Sequence, residues 1–270
     1  YINAHYDIPA CYVEQHEMLG QSHAIYLAKD HLNTDEPVFI VFGDHIFETD
    51  FALIKNPKSD AVIYVKEVED PRRYGVVMMN EQGHIIKFVE KPENPPSRLA
   101  VIGLYYINSG KKLVEALEWQ INVANRITKN EYYIADALQY LVDNGMIFLP
   151  ETVSNWLDCG NPDAVLAANQ YLLSDGGMDN SDALDIKDAI IVPPVRIHPT
   201  AVISQSVIGP NVTISANCQV TGSIIRDSIV GENAVIADVL LTHSLIGQNA
   251  SVNGHYNTVN VGDSSSVGMT

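Results

Sequence analysis

The chain has 270 residues and a formal net charge of −17, from 33 acidic and 16 basic side chains, and this balance excludes an extended nucleic-acid groove. Its three cysteines, Cys11, Cys159 and Cys218, are too few and too scattered for a disulfide framework or a zinc site. They fit a reducing cytoplasm. No apolar run approaches the ~20 residues of a membrane span, so we expect no membrane partner.

The first predicted elements alternate between strand and helix, as in an α/β fold. Residues 10–15 are predicted to form a short strand and residues 19–30 a helix. The unbroken apolar run 37–42 predicts a strand buried on both faces of a parallel sheet. Gly43 ends this strand and places the Asp44 carboxylate at the carboxyl edge of the sheet, where such folds bind ligands. A turn-forming aspartate is the alternative for Asp44.

The next segments predict a hairpin, a strand and two helices. The hairpin pairs residues 74–80 with 84–91, a strand covers 99–107, and the helices cover 131–144 and 162–173.

A second isolated carboxylate, Asp158, stands close to Gly160 at a predicted strand end. Two carboxylates from distant segments can meet over one sheet edge. Because Mg²⁺ is bound by one or two carboxylates with substrate phosphates completing its shell, Asp44 and Asp158 would suffice as protein ligands.

The carboxyl-terminal part of the sequence repeats with a period of 16 or 17 residues. Three apolar columns follow this period, and they predict a parallel β-helix of roughly four coils. The columns are Ile197, Ile214, Val230 and Ile246; Ile203, Val220, Ile236 and Val252; and Ile208, Ile225, Leu241 and Thr258.

Four segments resemble the nucleotidyltransferases that join a sugar 1-phosphate to a nucleoside triphosphate, in particular the long glucose-1-phosphate thymidylyltransferases. They are EQHEMLGQSHAI from Glu14, VFGDHIF from Val41, VEKPENPPSRLAVIGLYYIN from Val89 and NWLDCGNPDAVLAAN from Asn155. The resemblance implies an α/β Rossmann-like mixed-sheet domain over residues 1–175, truncated at its amino terminus. A linker over 176–192 and a left-handed parallel β-helix of hexapeptide repeats over 193–270 would follow. Packing between β-helix flanks would allow a homo-oligomer.

Each site residue takes its expected role from that resemblance. Gln15 and Gly20 would contact the nucleobase, and Asp44 and Asp158 would bind Mg²⁺ and act as catalytic residues with Lys91. The sugar-phosphate pocket would be lined by Gly75, Glu90, Lys91, Gly103 and Tyr105. Without the family resemblance, Glu90 and Lys91 would be interpreted as an exposed ion pair that contributes about 0 to 1 kcal/mol to stability.

The implied reaction is a single in-line displacement at the α-phosphorus that releases pyrophosphate. The family begins with a glycine-rich loop followed by an arginine and a lysine, and no such segment occurs before Asp44. We therefore expect that an amino-terminal segment has been lost and that residues 1–270 do not catalyse the reaction.

Two other functions stay open. GHYNTVNVGD from Gly254 faintly resembles the histidine-containing loop of β-helix acyltransferases, with His255 as a general base. The chain could also be a non-catalytic regulatory subunit that binds sugar nucleotides or a partner and so regulates another protein.

Overall fold

The computed structural model describes residues 2–55, 59–128 and 130–254. The chain forms two compact units, Tyr1–Trp156 and Leu157–Thr270, and the boundary falls inside the strand Asn155–Asp158. Among the described residues, no helix is both long and apolar enough to cross a membrane.

The first unit combines a mixed sheet with short helices. Its helices are α1 (Ile2–His5), α2 (Gln21–Leu27), α3 (Lys29–Leu32), α4 (Ala52–Lys55), α5 (Gly110–Glu118) and α6 (Ile134–Asp143). Its strands are β1 (Val38–Val41), β2 (His45–Glu48), β3 (Ala61–Glu67), β4 (Gly75–Met79), β5 (Ile85–Glu90), β6 (Leu99–Ile107), β7 (Phe148–Thr152) and β8 (Asn155–Asp158).

The main sheet has the order β5-β4-β6-β3-β7, with β1 paired beside β6. β3 and β7 are parallel, whereas β4 and β5 form the predicted antiparallel hairpin. β3 is buried on both faces: Ile63 packs with the apolar side of α5 and α6, and Tyr64 faces a second cluster that includes Phe51. β2 and β8 form a separate two-stranded ribbon.

Two strand predictions are wrong. The run around Phe39 was expected to be buried in a parallel sheet, but β1 pairs antiparallel with β6, and Phe39 and Val41 are 42% and 49% exposed. Side chains alternate along β1, so Val38 and Ile40 pack against the main core while Phe39 and Val41 lie on the opposite, more exposed face. Residues 10–15 form no strand, because no strand within the described part of the chain pairs with them.

The second unit begins with α7 (Pro162–Ser174), whose first turn is capped by the Asn161 side chain accepting a hydrogen bond from the Ala164 N–H. The β-helix strands follow: β9 (Ala189–Ile191), β10 (Val195–Ile197), β11 (Val202–Ser204), β12 (Ser206–Ile208), β13 (Val212–Ile214), β14 (Gln219–Thr221), β15 (Ile224–Arg226), β16 (Ser228–Val230), β17 (Val235–Ala237), β18 (Leu240–Thr242), β19 (Leu245–Ile246) and β20 (Ser251–Asn253).

These strands stack into three parallel four-stranded sheets, β10-β13-β16-β19, β11-β14-β17-β20 and β9-β12-β15-β18. The register places Ile197 opposite Ile214, Ile203 opposite Val220, and so on up each predicted column. The prediction of a mixed α/β sheet domain followed by a parallel β-helix is therefore confirmed. Thr258, the last member of the third column, lies outside the described residues, as does His255 of the acyltransferase alternative.

Residues of the predicted linker bond to the first coil. Asn180 accepts a hydrogen bond from the Ile197 N–H and donates one to the Ile197 carbonyl oxygen, while Asp179 accepts from the Val195 N–H. The predicted domain bounds at 175 and 193 stay predictions.

Candidate active site

A cleft of about 640 Å³ opens in the first unit between the start of α2 and the end of β1. Three of the predicted site residues, Gln15, Gly20 and Asp44, line this cleft. The remaining lining residues are Met18, Gln21, Ala24, Ile25, Ile40, Val41, Phe42, Gly43 and Glu131. The structure thus brings the predicted nucleobase contacts and one predicted metal ligand to the same concave surface.

The orientation of the Gln15 amide is fixed by two neighbours. Its Nε2 donates a hydrogen bond to the Gly20 carbonyl oxygen at 3.1 Å and lies 3.1 Å from His23 Nδ1. A carbonyl oxygen can only accept, so the amide nitrogen must face Gly20. The Gln15 Oε1 atom makes no hydrogen bond among the described residues and can accept one from a ligand.

The backbone conformation and the surroundings of residue 20 require a glycine there. Its φ is +101°, and a Cβ atom there would lie 2.8 Å from the backbone nitrogen of Tyr132. The Tyr132 backbone is held in place because its N–H donates to Leu19 and its carbonyl oxygen accepts from Ser22. The contact between Gly20 and a nucleobase stays a prediction.

The predicted metal ligands stand at the ends of the β2–β8 ribbon. Asp44 precedes β2 and Asp158 ends β8. Asp44, His45 and Asp158 each present one ligand atom, and these atoms all lie within 4.8 Å of one another. Asp158 Oδ1 accepts a hydrogen bond of 2.9 Å from the Gly160 N–H. This leaves the second Asp158 oxygen as a donor atom for a cation.

His45 was not predicted as a site residue, but it is the most constrained side chain of this group. Its Nδ1 accepts a hydrogen bond of 2.8 Å from the Trp156 indole Nε1, and the two rings stack with centroids 5.6 Å apart. Its Nε2 lies 3.2 Å from Asp44 Oδ1, and only 13% of its side chain is exposed.

The predicted sugar-phosphate residues lie along the β4–β5 hairpin. Gly75 is opposite Glu90 in the hairpin register, and a Cβ on Gly75 would lie 2.8 Å from Glu90 Oε2. Lys91 follows β5, and its Nζ is 3.9 Å from Glu90 Oε1. The same ammonium group donates to the Tyr133 hydroxyl at 3.4 Å and lies 4.9 Å from the centre of that ring. Tyr133 was also missed by the sequence interpretation.

Tyr105 and Gly103 both lie on β6. Burial, together with the negative charge of Glu90, raises the pKa of the Tyr105 hydroxyl above its ordinary value, so this group stays protonated at neutral pH. Gly103 has a φ of +75°, and a Cβ there would lie 2.8 Å from Phe42 Cδ2. The glycine at 103 is therefore required by packing against Phe42, whether or not a sugar ring also lies there.

Aromatic rings connect the two groups of site residues. The Trp156 ring contacts the Tyr74 ring edge-on, with centroids 5.0 Å apart. The Tyr74 carbonyl oxygen accepts a hydrogen bond of 3.1 Å from the Lys91 N–H. The His45 ring in β2 is thus linked through Trp156 and Tyr74 to the backbone of Lys91, which follows β5.

The donor atoms at the β2–β8 ribbon fit a small hard cation. Asp44 is 58% exposed and Asp158 is half-buried, so water and phosphate oxygens can complete an octahedron around an ion bound there. Carboxylate oxygens are the donors that Mg²⁺ and Mn²⁺ prefer.

Comparisons with known proteins identify the family of the chain. The sequence matches the nucleotidyl transferase family over residues 2–175. A glucose-1-phosphate thymidylyltransferase of Streptomyces antibioticus is 29% identical over 273 residues, covering 92% of this chain and 74% of that protein. A low-salt glycan biosynthesis nucleotidyltransferase, Agl11, of Haloferax volcanii is 30% identical over 272 residues, with the same two coverages.

A UTP–glucose-1-phosphate uridylyltransferase, AglF, of Haloferax volcanii is 31% identical over 180 residues, covering 62% of this chain and 71% of that protein. The relatives thus include proteins named for different nucleotides, and the family model matches residues 2–175 of this chain. On the family match and the long alignments, the chain belongs to the nucleotidyl transferase family.

Proposed function

We propose that this protein binds dTTP and glucose 1-phosphate and belongs to a Mg²⁺-dependent enzyme that forms dTDP-glucose and pyrophosphate. The observation that carries this proposal is the meeting of Gln15, Gly20 and Asp44 in one cleft, with the Asp158 carboxylate beside Asp44. Similarity to a thymidylyltransferase over 92% of the chain supports the choice of nucleotide and sugar.

The hydrogen bonds of Gln15 leave its Oε1 atom available to accept a hydrogen bond from a base. Its amide nitrogen is already engaged with Gly20 and His23, so the group left for a ligand is the acceptor Oε1. Thymine and uracil each present an N3–H donor at the edge that would face such an acceptor. Adenine, guanine and cytosine also carry N–H donors, so Gln15 alone does not select the base, and the choice of thymine rests on the family relatives.

In the proposed reaction, a phosphate oxygen of glucose 1-phosphate attacks the α-phosphorus, and the bond to the leaving pyrophosphate breaks. Mg²⁺ held by Asp44 and Asp158 would neutralise negative charge on the α-phosphate. Lys91 would bind the sugar phosphate, while Glu90 would accept hydrogen bonds from the sugar hydroxyls. No covalent intermediate is needed, so the complete enzyme would accelerate the reaction by positioning its two substrates.

A binding experiment tests this proposal without depending on turnover. Calorimetry of residues 1–270 with dTTP and Mn²⁺ should show metal-dependent binding that Asp44→Asn and Asp158→Asn each weaken about tenfold or more. Glu81→Gln removes one charge from an exposed hairpin turn and serves as the matched control. Equal affinity in Asp44→Asn, Asp158→Asn and the control would refute the metal site.

Turnover is a separate question. That residues 1–270 do not release pyrophosphate stays a prediction, and a pyrophosphate assay with dTTP and glucose 1-phosphate tests it. Binding of dTDP-glucose without turnover, once a glycine-rich loop is supplied, would favour the regulatory-subunit alternative. A cytoplasmic location and a homo-oligomer also stay predictions.

A further inference from the structure

The hydrogen bond between Trp156 and His45 determines where the imidazole carries its proton. An indole N–H can only donate, so the atom that it contacts must present a lone pair. That atom is His45 Nδ1, at 2.8 Å. The neutral ring therefore carries its proton on Nε2, the nitrogen that lies 3.2 Å from Asp44 Oδ1.

This tautomer has a consequence for the group of three ligand atoms formed by Asp44, His45 and Asp158. A protonated imidazole nitrogen has no lone pair with which to bind a metal. In His45 the Nε2 lone pair is absent because that atom carries the proton, and the Nδ1 lone pair is taken by the indole. From its position alone His45 could be a third metal ligand. Its hydrogen bond with Trp156 leaves no lone pair for a metal, so His45 lies beside the cation site without binding the ion.

The ring cannot easily turn away from this arrangement. It stacks on Trp156 and contacts the Phe42 ring edge-on, with centroids 6.3 Å apart. Trp156 is held in turn by the edge of the Tyr74 ring. These neighbours keep the Nε2–H group beside the Asp44 carboxylate.

We propose that Trp156 locks His45 in the Nε2–H tautomer, so that His45 positions the Asp44 carboxylate and stays out of the metal's coordination shell. The inference rests on the proposed function for the identity of Asp44 as a metal ligand. Its consequence is metal selectivity, because a site with oxygen donors alone suits Mg²⁺, whereas an available imidazole would recruit Zn²⁺. Partners that orient a metal's ligands in this way commonly change metal affinity about 10- to 100-fold when they are replaced.

The first experiment reads the tautomer directly and needs no metal. Nitrogen NMR of the ¹⁵N-histidine-labelled chain distinguishes Nδ1–H from Nε2–H rings, and the spectrum of His45→Gln identifies the His45 signals. We expect the Nε2–H form in the parent and a mixture of tautomers in Trp156→Phe, which keeps an aromatic ring but lacks the donor. Trp119→Phe replaces the other tryptophan of the chain, which stacks on Tyr140, and should leave the His45 signals unchanged.

The second experiment measures binding of Mn²⁺ and Zn²⁺ to the same proteins. Trp156→Phe should raise Zn²⁺ affinity about tenfold or more relative to Mn²⁺, and Trp119→Phe should not. Adding His45→Gln to Trp156→Phe should abolish the gain, since the amide of glutamine cannot replace the imidazole ligand. In the otherwise unchanged chain, His45→Gln keeps a donor beside Asp44 and should retain Mn²⁺ binding better than His45→Phe.

The two experiments separate this inference from the proposed function. An Nδ1–H ring in the parent, or an unchanged tautomer in Trp156→Phe, would overturn the inference and leave the metal site intact. Zn²⁺ coordination by His45 in the parent would also overturn it. The expected tautomers combined with unchanged Mn²⁺ affinity in Asp44→Asn would overturn the metal ligation of the proposed function, and with it the positioning role of His45.

Discussion

Replacing Gly20 with alanine should destabilise the first unit, because the added methyl group has no room. The methyl carbon would lie 2.8 Å from the Tyr132 nitrogen and 2.9 Å from the Tyr132 oxygen. These are backbone atoms that hydrogen-bond to Leu19 and Ser22 at 2.8 and 2.9 Å. They cannot move away from the methyl group without loss of at least one of those bonds.

The expected cost follows from two contributions. A backbone with φ of +101° and ψ of −178° costs a residue other than glycine about 1–3 kcal/mol. Each lost backbone hydrogen bond adds about 1 kcal/mol. We therefore expect Gly20→Ala to lower the free energy of unfolding by about 2–4 kcal/mol. Gly43→Ala is the matched control in the same cleft: a Cβ there meets no atom within 4 Å, and its effect should stay below about 1 kcal/mol.

Chemical denaturation followed by tryptophan fluorescence measures this difference. Trp119 and Trp156 both lie in the first unit, so their emission reports its unfolding. Equal unfolding free energies for Gly20→Ala and Gly43→Ala would refute the reasoning from the Tyr132 backbone. If Gly20→Ala then lost dTTP binding with no loss of stability, the role of Gly20 would be the close approach of the base that the family implies.

Substitutions at three further residues test other parts of the molecule. Lys91→Met should weaken glucose 1-phosphate binding about tenfold or more by calorimetry, since a charge-assisted contact is lost, and unchanged affinity would place the phosphate elsewhere. Burial and the nearby Asp50 raise the pKa of Glu151. The folded state therefore keeps a proton that the unfolded state has released, and the free energy of unfolding falls as pH rises above about 4.3. Glu151→Gln should therefore stabilise the first unit more at pH 7 than at pH 4, and an equal effect at both pH values would contradict this assignment. Asn233 has a φ of 58° and hydrogen-bonds to asparagines in both adjoining coils. Because only glycine adopts such a φ without strain, Asn233→Ala should destabilise the β-helix more than Asn233→Gly, as measured by circular dichroism. The reverse order would show that backbone strain is not the cause.

The β-helix was predictable because its long-range contacts repeat along the sequence. Ile197 pairs with Ile214, and Ile214 pairs with Val230, so a period of 16 or 17 residues carries the register itself. β1 was mispredicted because its partner is not encoded locally. An apolar run such as VFIVF is compatible with a buried parallel strand, and only the pairing of Val38 with Ile107 shows that it is an antiparallel strand with one exposed face.

In the candidate site, too, the sequence indicated some residues but not the contacts between distant segments. The family motifs indicated Asp44 and Gln15, and the structure places both in one cleft. The motifs gave no indication of the bond between His45 and Trp156, which lie 111 residues apart in the chain. Such a contact depends on the pairing of β2 with β8, and no periodicity or spacing in the sequence reports that pairing.

These non-local contacts are also the ones that a displacement reaction would depend on. The His45 ring beside Asp44 stacks on Trp156, and Trp156 contacts the Tyr74 ring. The Tyr74 carbonyl oxygen accepts a hydrogen bond from the Lys91 backbone N–H. Aromatic side chains have only two rotatable bonds, so this connection relates the His45 ring beside Asp44 to the backbone that carries Lys91. In a reaction without a covalent intermediate, the rate depends on the alignment of attacking oxygen, phosphorus and leaving group. The motifs therefore indicate the groups that we propose to contact substrates, and the ring contacts help to position the segments that carry those groups.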